Sequence, residues 1–246
     1  MKTTSFSWAA FALIAVAAAC NPGDKAGGTT TTGTTTGTTT AGTTGTSAPV
    51  VDAKLMNDGY RYMGFNRTGD MTYSYSRVEG TKGESGVESV QIVDATPDKA
   101  TIKVNRSGAL SDLGSESYEV RPDGVYLTEM ALGQLEKPML AIPGDVKVGS
   151  KWTSDLVTKG VGSGPNKFTI DNVAEKEEDI TVKAGTYKAL LVSGRGTMTA
   201  KGVTQTVLYK TWYTKDIGTV LMRIEVVDKK GTSLKSSVEL TTAGKP

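Results

Sequence analysis

From Met71 to the C-terminus, apolar and polar residues alternate in short runs broken by turn residues about every ten positions. A period of two places alternate side chains on one face of a strand. In Met71-Thr72-Tyr73-Ser74-Tyr75-Ser76, residues 71, 73 and 75 share one face. Val90–Val93 and Thr101–Val104 flank Thr96-Pro97-Asp98-Lys99, and Ser117–Val120 and Val125–Thr128 flank Arg121-Pro122-Asp123-Gly124. Proline presets φ at the first turn position and glycine accepts positive φ, so both read as hairpins. Ala189–Thr199 and Val203–Tyr213 flank Ala200-Lys201-Gly202, and Asp228-Lys229-Lys230-Gly231 turns the Val220–Val226 strand into Ser233–Leu240. Beyond the N-terminal run no window longer than about ten residues has helical periodicity, and residues 107–114 and 129–136 hold at most a turn of helix. The pattern predicts an all-β fold: about ten antiparallel strands in a single, strongly curved sheet. Open edges invite aggregation, which favours partial closure into a barrel or sandwich.

A different pattern precedes this domain. Phe6–Ala19 is uncharged and almost wholly apolar after Lys2. As a helix it would span roughly 21 Å, short of the ~30 Å hydrocarbon core. A charged start, a short apolar stretch and a small-residue end describe a secretory signal peptide over residues 1–19. Residues 29–46 contain thirteen Thr, four Gly and one Ala. Such a composition buries no apolar surface, so residues 20–50 read as a flexible, disordered stalk with an r.m.s. reach of roughly 30 Å. Residues 51–246 form one domain on length, large enough for a core without covalent staples.

Charge and chemistry narrow the field. The net charge is +2 and no basic face stands out, so nucleic acid is not an expected partner. There is no histidine and only one cysteine, Cys20. Ser-His-Asp and Cys-His catalysis, His- or Cys-based zinc sites and disulfides within the domain are thereby excluded. No cofactor, no metal and no catalytic residue is expected. Gly160–Lys167 lacks the Gly-Lys-Ser/Thr ending of a phosphate loop and reads as a β-connection. The acidic run Glu175-Lys176-Glu177-Glu178-Asp179 reads as a solvated turn between strands. Tyr209, Trp212 and Tyr213 lie close together on one strand; they line a ligand cavity or, as such rings more often do, fill a β-core.

The sequence Ala17-Ala18-Ala19-Cys20 resembles the lipobox of bacterial lipoproteins, with Ala17 where leucine is usual. The resemblance implies a diacylglyceryl group on the Cys20 sulfur and cleavage that leaves Cys20 first in the mature chain. The alternative is an ordinary Ala-x-Ala cleavage site before a cysteine. Residues 138 to 226 resemble a broad group of secreted bacterial β-domains of unknown function. Val148-Gly149-Ser150-Lys151-Trp152, after a loop bounded by Pro138 and Pro143, carries one part of the likeness. Ile180–Ala189 carries a second, as a hairpin around Ala184-Gly185. Trp212–Val220 carries a third, with Lys215-Asp216 in place of the usual Pro-Gly, which implies a different turn conformation. Some such domains are similar to the half-barrels of lipoprotein carriers. The lipobox resemblance implies a protein anchored by lipid to a membrane of the bacterial cell envelope, its domain outside the cytoplasm; with no histidine and no free thiol in the domain, the expectation is a non-catalytic β-domain whose curved sheet binds a lipid or other hydrophobic ligand. A module docking to an envelope protein or cell-wall polymer is the alternative, and a carboxylate-dependent hydrolase the third.

Overall fold

A computed structural model describes residues 49–78, 82–131, 133–158, 167–200 and 203–244. The stalk, Cys20 and nearly all of Gly160–Lys167 lie outside them. The domain opens with a 3₁₀ turn, Ala53–Leu55, and a short helix, α1 (Asp58–Tyr62). Asn57 caps α1 by accepting the Tyr60 N–H at 2.9 Å, and its amide nitrogen donates to the Arg121 carbonyl at 3.0 Å. One side chain thus starts the helix and pins it to the sheet.

The strands follow as antiparallel hairpins. β1 (Met71–Ser76), β2 (Glu84–Ala95), β3 (Ala100–Gly108), β4 (Glu116–Arg121), β5 (Gly124–Met130) and β6 (Gly133–Pro143) make one half. β7 (Lys151–Val157), β8 (Lys167–Val182), β9 (Gly185–Ala200), β10 (Val203–Thr214), β11 (Gly218–Val227) and β12 (Ser233–Thr242) make the other. The sheet order is β6-β5-β4-β3-β2-β1-β12-β11-β10-β9-β8-β7. The two halves join where β1 pairs with β12, through Tyr73↔Leu240 and Tyr75↔Val238.

The two edges, β6 and β7, are consecutive in sequence, and the sheet curls until they meet. Leu135 and Thr158 form an isolated antiparallel bridge. Further along, side chains take over from the backbone. Trp152 Nε1 donates to the Ala141 carbonyl at 3.1 Å, and Ser154 Oγ to the Leu140 carbonyl at 2.7 Å. The result is an all-β, twelve-stranded sheet nearly closed into a barrel, with a seam between β6 and β7. Bulges at Thr72/Tyr73, Ile92/Asp94, Ala174/Lys176 and Trp212/Tyr213 supply local curvature. So does Gly196 on β9: a Cβ there would stand 1.9 Å from the Thr169 carbonyl oxygen, so the strands approach more closely than any side chain allows.

One core runs through the barrel, with Ile102, Val120, Val125, Leu156, Met198 and Val220 among its buried residues. α1 lies across one end of the barrel. Its Gly59 N–H donates to the Gly144 carbonyl, and Tyr60 stacks edge-on against Phe65 at 5.9 Å.

Three sequence expectations change. The Pro138–Pro143 stretch is strand, not loop: β6 is a sheet edge, where a residue without an N–H is tolerated, and the loop is 144–150. Glu175–Asp179 lies inside β8, not in a turn. Its acids are largely exposed there, Glu177 paired with Lys188 and Glu178 with Lys176, so their polarity reports the outer surface rather than a chain reversal. Residues 129–136 carry the ends of β5 and β6, not helix, whereas 107–114 does hold a 3₁₀ turn, Ser111–Leu113.

Candidate functional site: the barrel interior

The strands line a partly open cavity of about 120 Å³. Phe65, Val104, Leu127, Met130, Phe168 and Ile170 give it apolar walls. Their placement follows from strand alternation: on β8, Phe168, Ile170 and Asn172 point inward, while Lys167, Thr169 and Asp171 are exposed.

One wall is ionic. Glu88 on β2 and Glu116 on β4 flank Arg106 on β3. Arg106 Nε donates to Glu88 Oε2 at 2.9 Å, its Nη2 to Glu116 Oε2 at 2.8 Å, and its Nη1 to the Gly114 carbonyl at 3.3 Å. Arg67, in the connection between α1 and β1, meets Glu88 Oε1 at 2.7 Å and also donates to the Gly64 and Ile217 carbonyls. The Tyr118 hydroxyl donates to Glu116 Oε2 at 2.6 Å. Two guanidiniums and two carboxylates therefore form a neutral, buried chain. Burial alone would push the Glu88 carboxyl up, but Arg106 and Arg67 outweigh it and hold it below its usual range. The Tyr118 phenol is pushed well up, by burial first and then by the Glu116 carboxylate.

A second polar group faces this chain. Tyr209 on β10 donates its hydroxyl to Asn172 Oδ1, and Asn172 Nδ2 donates to Ser154 Oγ at 3.0 Å and to the Trp152 carbonyl at 3.2 Å. These bonds run from β10 through β8 to β7, the edge strand. Two residues beyond Tyr209 lies Thr211, 1 % exposed and also lining the cavity. Its hydroxyl has no hydrogen-bond partner. It makes no bond of good geometry to the Tyr213 phenol, yet lies near enough to act on that group, favouring its ionised form against the effect of burial. Burial pushes the Tyr213 phenol up to about 12.

At the α1 end, Arg61 grips Asp216 through both guanidinium arms, and Asn66 Nδ2 reaches the same carboxylate at 2.8 Å. The Arg61 hydrogen bonds hold the Asp216 carboxyl below its ordinary value. Asp216 sits at φ 67°, the left-handed conformation that suits glycine. The Lys215-Asp216 replacement therefore keeps a glycine-type backbone instead of the different turn expected from the sequence, and adds a carboxylate that ties the β10–β11 turn to α1.

Of the three neighbouring aromatics of β10, Tyr209 and Tyr213 line the cavity. Trp212 does not; its Nε1 donates to Glu178 Oε1 at 2.9 Å and Arg223 lies over its ring. Arg67, Glu88, Arg106 and Glu116 escape a sequence reading because each is a single charge in an alternating strand or a loop, identical in pattern to a solvated one. The one available signal is phase: in β3, Arg106 follows Ile102 and Val104 at steps of two, on the core face. Among the described residues, no group of three or more His, Cys, Asp or Glu could hold a metal, and no helix is long and apolar enough to cross a membrane.

These features define a class: a seam-closed antiparallel β-barrel with a small, mostly apolar interior and a self-neutralised ionic wall. A family model described as DUF3108-like matches residues 139–240, from β6 through β12. The fold is similar to that of two solved structures. One, from Bacteroides fragilis, is described as an exported protein with a YmcC-like fold; it is 16% identical with a TM-score of 0.50, covering 72% of this chain and 95% of the other. The second, from Parabacteroides distasonis, is described as a lipoprotein; it is 17% identical with a TM-score of 0.51, covering 74% of this chain and 98% of the other. No curated protein matches the chain in sequence.

Proposed function

We propose that this protein is a lipid-anchored component of the bacterial cell envelope, tethered through Cys20, whose β-barrel binds a small hydrophobic molecule in its interior without converting it. The observation that carries the binding reading is the apolar cavity, about 120 Å³, left inside an otherwise filled core. Packed interiors leave few voids larger than a water, and an engineered void of about 150 Å³ takes up benzene. That size revises the ligand downward: a benzene-sized molecule fits, whereas a whole lipid does not. Among the described residues, the large exposed apolar side chains, Val50, Met56, Val78, Val93, Val148 and Val203, come mostly from stretches far apart in sequence and supply no argument for a docking face.

The ionic wall favours binding over hydrolysis. Glu88 and Glu116 share the cavity, but Arg106 stands between them, and the lowered Glu88 carboxyl cannot hold a proton near neutral pH for delivery to a leaving group. An envelope location is supported by the lipobox-like Ala17–Cys20 and by the descriptions of the two structural neighbours as exported protein and lipoprotein. The test is gentle purification from the envelope, followed by native mass spectrometry and solvent extraction. A small apolar compound released in near-stoichiometric amount is the expected outcome. Repeated recovery of empty protein that takes up no benzene-sized probe would sink the proposal.

A further inference from the structure

We infer that the interior selects a neutral molecule of benzene-like size carrying a single hydrogen-bonding group, and that the Thr211 hydroxyl is what recognises that group; this rests on the binding reading above. Three buried polar side-chain atoms lack partners among the described residues: Arg67 Nε, Gln205 Oε1 and Thr211 Oγ1. Of these residues only Thr211 lines the cavity. A buried hydroxyl without a partner has given up its bond to water and gained nothing in return. A ligand atom that accepts from it or donates to it removes that cost, and a wholly apolar ligand leaves it standing.

The charged wall sets the second limit. Arg106 is 3 % exposed and Glu116 1 %, and both are paired. Glu88 divides its two oxygens between Arg67 and Arg106. With two positive and two negative groups the set has no surplus charge to offer. A carboxylate or ammonium ligand would enter a low-dielectric space without a counter-ion, or would have to break one of these pairs; either is far more costly than admitting a neutral molecule. The polar groups opposite are committed as well, Tyr209 to Asn172 and Asn172 to Ser154. Acids and amines are therefore excluded by charge, and plain hydrocarbons are disfavoured by the idle hydroxyl. Alcohols, phenols and small carbonyl compounds satisfy both conditions.

Four probes built on one ring separate these terms: toluene, benzyl alcohol, benzoate and benzylamine, titrated against the full-length chain carrying Cys20→Ser and followed by NMR. Benzyl alcohol should bind at least tenfold more tightly than benzoate or benzylamine. In Thr211→Val, which keeps the shape and removes the hydroxyl, the affinity ratio of benzyl alcohol to toluene should fall by about threefold to tenfold, the worth of one hydrogen bond. Thr211→Ser should restore it. Equal or tighter binding of benzoate or benzylamine overturns the inference while leaving the binding reading intact. So does an unchanged benzyl alcohol to toluene ratio in a folded Thr211→Val. Binding of none of the four probes overturns the binding reading itself.

Discussion

Arg106 is held between two carboxylates at 2.9 Å and 2.8 Å in a space where an isolated charge is costly. Removing one partner of such a network is worse than never having had it. Arg106→Leu leaves the buried Glu116 carboxyl without its guanidinium, and should cost about 3–5 kcal/mol in urea unfolding. Adding Glu116→Met to it should recover part of that loss, because two apolar groups replace an orphaned ion. Glu88 titrates in the complementary sense. Its folded-state carboxyl lies below its unfolded value, so it adds stability at pH above the unfolded value and loses that contribution as pH falls through the folded one. The protein should therefore weaken below about pH 4, and Glu88→Gln should flatten that acid limb in melts recorded between pH 3 and 7.

The seam between β6 and β7 depends on side chains reaching across to carbonyls. Trp152 packs its ring into the core and uses its indole N–H on Ala141. Trp152→Phe keeps most of the ring and removes the bond. It should cost about 1 kcal/mol and speed amide exchange in 139–143 and 151–155 more than in the paired strands β8, β9 and β10. Uniform acceleration across all strands would show that the seam is no weaker than the rest. The hairpin β8–β9 represents the other extreme. It is a continuous ladder from Lys167↔Thr199 to Val182↔Gly185, interrupted by one bulge, and its turn was readable from Ala184-Gly185.

For the whole molecule, lipid anchoring and folding are predicted to be separable. The first described residues, 49 and 50, are exposed, and the core begins at Val51. Cys20→Ser should release the protein from pelleted envelopes and abolish fatty-acid labelling, while leaving the thermal unfolding midpoint unchanged. A shift of several degrees would mean that the anchor contributes to the domain's packing. An unchanged pellet and an unlabelled wild type would remove the anchor from the account.

Alternation along the chain was enough to specify an all-β, curved antiparallel sheet, several of its hairpins and the face each strand buries, because those properties depend on a two-residue period and local turn chemistry. The absence of histidine and the solitary Cys20 bounded the chemistry for the same reason: composition needs no coordinates. Only the tertiary structure decided which charges are inside. Arg67, Glu88, Arg106 and Glu116 come from four separate segments, and their mutual neutralisation exists only once β1 to β4 are side by side. The same holds for β6, read as a loop because of its prolines and found as an edge, and for Thr211, whose hydroxyl is ordinary on a strand and unpartnered only when the barrel closes around it. Periodicity is local, whereas burial and partnership are set by contacts between residues far apart in sequence.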